Sequence, residues 1–178
     1  MLKKFAAVAA VSAFASLSGL AQAQSNTITF SGEVVATTCD PAVTGGNYTV
    51  TLDQVAQSKL NAVGQYAALT APFSIQVVNC PAGVSKVGAV LNSSTYDATT
   101  GNLIDTTTYG SDAVQIQVMD GADTTKQVVV GAAAPVSYAT VTGGAASIPM
   151  TAYYYVKKTA GVNVGKIKTT AVYALRTQ

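Results

Sequence analysis

The sequence predicts an all-β domain, a sandwich or a barrel, on three observations. Short runs alternate between apolar and polar residues at period two, as in Thr27-Ile-Thr-Phe-Ser-Gly-Glu-Val34. Gly, Ser, Thr, Asn and Asp separate the runs, which is typical of turns between strands. Helical periodicity is scarce, and residues 53–60 alone suggest one short helical turn. One domain is expected, because neither a linker nor a repeat divides the 178 residues.

The alternation predicts strands at residues 27–34, 48–52, 73–77, 84–91, 113–119, 127–130, 148–156 and 167–175. Pro72 stands at the expected entrance of the third strand, where a missing N–H is tolerated. Three consecutive tyrosines, Tyr153 to Tyr155, could suggest sugar stacking. Since side chains alternate between the two faces of a strand, one or two of these rings are expected in the core instead.

The first 23 residues have the layout of a secretory signal peptide. Two lysines precede an apolar stretch from Phe5 to Leu20, and Ala21-Gln-Ala23 supplies the small residues that a signal peptidase reads. Cleavage is therefore expected between Ala23 and Gln24. An N-terminal membrane anchor is the alternative, but the stretch is short for a span of about 20 residues. No second apolar run follows it, so stable membrane insertion after cleavage is not expected.

The composition argues against several classes of function. Charged residues make up 10% of the chain and hydrophobic residues 49%, which excludes a disordered chain. The formal charge of +2 provides no basic stripe, so nucleic acid is not an expected partner. The chain has no histidine, the commonest general base and metal ligand. Signal cleavage would remove two lysines and bring the charge to zero, which suits a protein that packs against copies of itself.

Two cysteines, Cys39 and Cys80, remain after cleavage. Export takes them to an oxidising compartment, so a single structural disulfide is expected. By closing the loop between them, the bridge would raise the free energy of unfolding by roughly 3–4.7 kcal/mol. A redox pair normally has two residues between its cysteines, and a zinc site needs more ligands than two cysteines. Both alternatives are therefore less favoured.

Several stretches, taken in order, resemble a known family. They are the segment from Thr27 to Cys39, Val50-Thr-Leu-Asp-Gln-Val55, Pro72-Phe-Ser-Ile-Gln-Val-Val-Asn-Cys80, Ile148-Pro-Met-Thr-Ala-Tyr-Tyr-Tyr155, Gly165 and the alternating end to Gln178. Together they resemble the major pilin subunits of chaperone–usher (type 1-like) fimbriae, over essentially the whole mature chain. The order of the stretches is more specific than any one of them.

The resemblance implies an incomplete immunoglobulin-like β-sandwich, residues 35–178, that lacks its last strand and is completed by a donor strand from a neighbouring subunit. In the family, a periplasmic chaperone first lends a strand, and an outer-membrane usher assembles the subunits. The N-terminal arm of the next subunit then replaces the chaperone. The implied product is a homopolymer of identical subunits, exported through the periplasm to the cell surface as an extracellular fimbrium that supports cell adhesion.

Residues 24–34 are the implied donor-strand arm. Ile28, Phe30 and Val34 would fill pockets of the neighbouring subunit, and Gly32 would fit where the groove is shallow. The alternative is an ordinary first strand of the sandwich.

The final strand is implied to line the groove and to contact the chaperone through Val172, Tyr173, Leu175 and Thr177. The family usually has a penultimate tyrosine, where this sequence has Thr177. Val172 and Leu175 do not fall on one alternating face, so a bulge or an imperfect strand end is an open alternative.

No catalytic residue, metal site or cofactor is expected. The acidic residues are isolated from basic or nucleophilic partners, and a Ser or Thr nucleophile would need an activating base. Asp120 and Asp123 could share a cation, but a surface turn containing glycine is favoured. Lys157 and Lys158 are interpreted as a solvated loop.

The leading hypothesis is a structural, non-enzymatic pilus subunit. A minor or tip adhesin, or another secreted β-sandwich binding module, is the first alternative. Tip adhesins, however, typically add a receptor-binding domain for which the mature chain leaves no room. A secreted β-sandwich enzyme is the second, and the missing histidine argues against it.

Overall fold

Two antiparallel sheets are formed in the computed structural model, which describes residues 38–43, 46–107 and 112–178. The chain divides into a unit of residues 1–34 and a unit of residues 35–178. The predicted signal peptide and donor arm belong to the first unit and lie outside the described residues. No helix among the described residues is long and apolar enough to cross a membrane.

The described residues form nine strands and one 3-10 turn. The strands are β1 (Asp40–Pro41), β2 (Gly64–Val78), β3 (Lys86–Asn92), β4 (Tyr96–Asp97), β5 (Asn102–Ile104), β6 (Val114–Asp120), β7 (Ala139–Thr140), β8 (Ala146–Val156) and β9 (Val172–Thr177). The 3-10 turn spans Gln57–Lys59, where the sequence predicts a single helical turn.

Six strands form the larger sheet, in the order β1-β2-β8-β6-β5-β4. β2 and β8 pair from Gly64↔Val156 to Val77↔Ala146, with one irregularity between Tyr66 and Thr70. β2 thus begins well before Pro72, which lies inside the strand rather than at its entrance. β8 is central, and Tyr154 lies in the core, in agreement with the prediction that one or two of the three rings do so. Tyr153 is also buried, but as the neighbouring residue it lies on the opposite face of the strand.

The smaller sheet has the order β7-β3-β9. β3 is its central strand, and its middle residues are buried on both faces. Residues 135–137 cover the face that points away from the larger sheet, because a Cβ placed on Gly88 would lie 2.6 Å from the Ser137 carbonyl oxygen. Glycine is needed at this position since another stretch of backbone approaches so closely.

Apolar side chains from both sheets form one core cluster. The larger sheet contributes Ile75, Val77 and Ile148, each at most 3% exposed, and β3 contributes Val87 and Ala89. The described part of the chain is therefore built around a single core, as expected for one domain.

A disulfide joins Cys39 to Cys80, which confirms the predicted bridge. Cys39 immediately precedes β1 and Cys80 follows β2, and these two strands are paired at Asp40↔Val78. The bridge therefore fastens the short edge strand β1 to the long strand beside it.

Two predicted strands are wrong, those at residues 48–52 and 127–130. Residues 127–130 form only an isolated bridge, between Gln127 and Met119. The Val128 N–H donates to the Val118 carbonyl oxygen, while the Val130 N–H donates to that of Gly101. Because its successive hydrogen bonds go to different parts of the fold, this segment crosses the domain instead of following one neighbour.

The last strand begins later than predicted, at Val172 rather than at residue 167. The Lys168 N–H donates to Asp105 Oδ1, 2.9 Å away, and the Lys168 carbonyl oxygen accepts from the Thr106 N–H at 2.8 Å. The loop after β5 therefore holds residues 166–168 in place of a sheet neighbour.

Candidate functional site

β9 lies at one edge of the smaller sheet and leaves its own outer edge open. It pairs with β3 from Asn92↔Val172 to Val87↔Thr177, without a register shift. The sequence allowed a bulge in this strand as an alternative, and none is present between these residues. Within the described residues, no strand pairs with the other side of β9. The Leu175 carbonyl oxygen on that side accepts a hydrogen bond from the Arg176 guanidinium at 3.4 Å, and no backbone partner is found there among the described residues. An edge of this kind can pair with a further strand.

The side chains of β9 alternate between the core and the surface. Tyr173 and Leu175 are half-buried and pack against the core cluster, and Thr177 is half-buried on the same alternation. Val172 is 69% exposed and Arg176 is also exposed. Of the predicted contact residues, Val172 therefore points away from the core.

A second length of extended chain lacks a sheet neighbour. Residues 47–55 are in none of the described strands, although the sequence predicts a strand at 48–52. Their side chains still alternate, and four half-buried ones pack against the core, namely Tyr48, Val50, Leu52 and Val55. We refer to β9 and residues 47–55 together as the open edge.

Tyr48 joins the two parts of the open edge. Its hydroxyl accepts a hydrogen bond from the Gln76 N–H at 3.0 Å and donates one to the Gln76 carbonyl oxygen at 3.1 Å. Its ring lies edge-on to the ring of Tyr173, with the centroids 6.0 Å apart. Such aromatic contacts contribute about 0.5–1.5 kcal/mol beyond burial. Tyr48 therefore fixes the position of the Tyr173 ring.

Two buried polar atoms have no hydrogen-bond partner among the described residues, the Tyr173 hydroxyl and Thr169 Oγ1. Both belong to the segment that leads into and through β9. Burial, together with the neighbouring Tyr48, raises the pKa of Tyr173, so this hydroxyl keeps its proton and is a hydrogen-bond donor. A buried hydroxyl without a partner costs about 1–3 kcal/mol.

A separate polar cluster lies at the β4 edge of the larger sheet. Asp97 of β4 contacts the Lys157 ammonium at 2.5 Å and the Gln115 amide at 2.8 Å. These two contacts, the first being the stronger, hold the pKa of Asp97 well below its usual range. Lys157 also lies 3.6 Å from Asp112. Lys157 is therefore an ion-pair partner and not the solvated side chain that the sequence suggested.

The Asp97 cluster joins β4, β5 and β6 through side-chain hydrogen bonds. Gln115 Oε1 accepts hydrogen bonds from Thr100 Oγ1 at 2.7 Å and from Asn102 Nδ2 at 3.1 Å. The described residues contain no group of three or more His, Cys, Asp or Glu that could hold a metal ion. Asp120 ends β6 and accepts from the Ala122 N–H of the following turn, as the turn interpretation predicts, but at 2% exposed it does not lie on the surface.

The sequence predicted the final strand that contains β9, but it did not predict that Tyr48 bonds to Gln76 and contacts the ring of Tyr173. Tyr48 heads a recognisable alternation, yet its bond to Gln76 joins residues 28 positions apart and leaves no signal in the pattern. The predicted donor-strand residues, which are Ile28, Phe30, Gly32 and Val34, and the cleavage point at Ala23 and Gln24 lie outside the described residues.

A family model and a curated relative both place the chain among fimbrial proteins. The family model for fimbrial proteins matches residues 28–178. The F17 fimbrial protein of Escherichia coli is 37% identical over 160 residues, which cover 85% of this chain and 86% of that protein.

The fold is similar to two solved structures. One is the P pilus rod subunit PapA, with a TM-score of 0.61 and 19% identity over 80% of this chain and 100% of that one. The other is a chain from a chaperone–usher pilus, with a TM-score of 0.62 and 21% identity over 88% of this chain and 97% of that one. The predicted immunoglobulin-like pilin sandwich is thereby confirmed at the level of the fold.

Proposed function

The chain belongs to the fimbrial protein family, and on that premise we propose that it is the major structural subunit of a chaperone–usher pilus. It polymerises head to tail by donating its N-terminal arm to the next copy, it has no enzymatic role, and the resulting fibre supports cell adhesion. A periplasmic chaperone and an outer-membrane usher handle the subunit before it reaches the surface.

The observation that supports this proposal is the open edge. β9 directs the backbone groups of Tyr173, Leu175 and Thr177 to its outer side, where no strand pairs with it among the described residues, and residues 47–55 offer inward-facing apolar side chains that likewise lack a sheet neighbour there. An unprotected edge of this kind pairs readily with a further strand. Strand addition at a sheet edge is the way in which pilins complement one another.

The arm has the properties that this edge requires. Ile28, Phe30 and Val34 share one face of residues 24–34, at every second position, and Gly32 interrupts the face. Main-chain hydrogen bonds to β9 would provide affinity, and the alternate side chains would determine register. Because the donating and accepting surfaces differ, the contact is heterologous and produces an open filament rather than a closed ring.

The test uses fibres sheared from cells and analysed by SDS-PAGE with and without boiling. The native chain is expected to give a ladder that survives detergent and collapses on boiling to a band near the mature mass. Phe30→Asp should abolish the ladder, because it places a charge on the inserted face of the arm. Thr29→Asp is the matched control, on the opposite face, and should retain the ladder. A ladder from a chain lacking residues 24–34 would contradict the proposal.

A further inference from the structure

A groove lies on the surface where residues 127–137 pass from β6 to the outer face of β3. We refer to these residues as the crossing segment. The groove has a volume of about 220 Å³, and seven of its eight lining residues are alanine or valine. Val129 and Val136, which line it, are 44% and 39% exposed. The eighth residue is Gln127, so the groove combines an apolar lining with a single amide.

The crossing segment is fastened on both sides of the groove. The Gly131 N–H donates to the Leu91 carbonyl oxygen of β3 at 2.8 Å. A Cβ placed on Gly101 would lie 2.9 Å from Val129 Cγ1 and 3.2 Å from Gln127 Nε2, so both side chains pack tightly against the turn before β5. The groove is therefore formed in the folded subunit, as most small-molecule sites are.

A chain of amides fixes the orientation of Gln127. Because the Asp97 carboxylate can only accept, the Gln115 amide nitrogen points to it, at 2.8 Å. Gln115 Oε1 then accepts from Asn102 Nδ2 at 3.1 Å, and Asn102 Oδ1 accepts from Gln127 Nε2 at 2.8 Å. Gln127 Nε2 also donates to the Thr100 carbonyl oxygen at 2.8 Å, which uses its second N–H. Both donors of the Gln127 amide are therefore engaged inside the domain.

The amide oxygen of Gln127 is left as an acceptor. Gln127 Oε1 accepts no hydrogen bond from the described residues, yet it is not one of their buried unpaired atoms. It therefore reaches the surface, and Gln127 lines the groove there. Each hydrogen bond in a chain of amides polarises the next, so the negative charge of Asp97 strengthens this oxygen as an acceptor.

We propose that the groove binds a small, uncharged molecule that has an apolar ring or short apolar chain and one hydrogen-bond donor. The apolar body lies against β3 at Val90 and against Val136 of the crossing segment, and the donor bonds to Gln127 Oε1. An apolar lining with one or a few polar groups that fix orientation is the usual composition of such sites. This site lies apart from the open edge and does not depend on strand donation.

The size of the groove favours a small molecule over another copy of the chain. An apolar cavity of roughly 150 Å³ is enough to hold benzene, so about 220 Å³ accommodates one or two fused rings. A stable contact between subunits buries about 1,000 Å² or more and does not need a single oriented acceptor.

The first experiment measures binding of indole, a fused apolar ring with one N–H donor, to sheared fibres. The chain has no tryptophan, so the fluorescence of indole is followed without a protein indole background. Saturation at one indole per subunit is expected. Ala134→Phe, which places a ring in the groove, should abolish saturable binding. Ala133→Phe is the matched control, because Ala133 is exposed and does not line the groove, and its fibres should bind indole as native fibres do.

The second experiment tests the acceptor with benzofuran, which has the same fused rings but an oxygen in place of the N–H. Leucine at position 127 keeps the volume and removes the amide oxygen. The ratio of indole affinity to benzofuran affinity should therefore fall about fivefold in Gln127→Leu fibres. An unchanged ratio would overturn the inference.

Native fibres that bind no indole in a saturable way would also overturn it. If Ala134→Phe fibres then dissociated faster on heating than Ala133→Phe fibres, the groove would be assigned to a contact between copies. The alanine and glutamine variants are independent, so a variant that forms no fibres leaves the other one as the test.

Discussion

Gln115→Leu tests whether the polar cluster around Asp97 stabilises the domain. Gln115 and Asn102 are both 0% exposed, and Gln115 Oε1 is the acceptor for Asn102 Nδ2. Leucine has a similar volume but no hydrogen-bonding group. The substitution therefore leaves the Asn102 amide and the Thr100 hydroxyl without their shared acceptor, and it removes the amide donor, at 2.8 Å, from the Asp97 carboxylate.

The expected cost follows from these two losses. A buried amide left unpaired costs about 1–3 kcal/mol, and a hydrogen bond to a charged group contributes about 1.5–3 kcal/mol. Together they predict a decrease of about 2.5–6 kcal/mol in the free energy of unfolding. For a domain of this size, 1 kcal/mol shifts the midpoint of thermal unfolding by about 2–4 °C, so a decrease of roughly 10 °C is expected.

Calorimetry of sheared fibres, scanned at one fixed rate, measures the effect. Gln117→Leu is a matched control, because Gln117 lies two residues further along β6, is 8% exposed, and makes no side-chain hydrogen bond with the described residues. Its unfolding midpoint should change by an amount equivalent to less than about 1 kcal/mol. Equal decreases for the two variants would refute the reasoning, since the loss would then reflect leucine on β6 and not the hydrogen bonds of Gln115.

Two other predictions concern acid and the disulfide. Because Lys157 and then Gln115 lower the pKa of Asp97, its contribution to stability is complete above the unfolded carboxyl pKa of about 4 and is lost as the pH falls towards the folded value. The unfolding midpoint of Asp97→Asn fibres should therefore vary less between about pH 4 and pH 2 than that of native fibres, and parallel curves would contradict this. Replacing Cys39 and Cys80 together by serine should lower the free energy of unfolding by roughly 3–5 kcal/mol and reduce the yield of fibres; an unchanged yield and unfolding midpoint would show that the loop needs no cross-link.

Local pattern predicted the long strands because each of them alternates within its own sequence. Ile148 to Val156 and Ala113 to Met119 lie within a residue or two of β8 and β6. The strands that were missed, β1, β4, β5 and β7, have only two or three residues, too few to show a period. The first half of β2 was missed because Gly64 and the irregularity between Tyr66 and Thr70 interrupt the alternation.

The candidate site was predicted only in part, for a similar reason. Tyr173 and Leu175 could be placed on the last strand from alternation and from the family resemblance. The unpaired state of the Tyr173 hydroxyl depends instead on Tyr48, which is 125 positions away, and on the close approach of Gly46. Contacts between distant parts of the chain leave no periodic signal, so they became visible only in the folded structure.

The distribution of sheet edges supports the proposal that a strand is accepted at β9 and not at the other edges. The outermost strands of the larger sheet, β1 and β4, have two residues each, and so does β7 at one edge of the smaller sheet. Strands this short offer too little backbone for stable pairing, and the length of β2 that extends beyond β1 contains Pro72, which has no N–H to donate. β9 has six residues, a continuous register and no strand on its outer side among the described residues. A weakly charged subunit with several long free edges would aggregate in many directions. Because the long free edge is confined to β9, the tendency of free edges to pair is limited to one contact per subunit. Repetition of one heterologous contact is what a fibre requires.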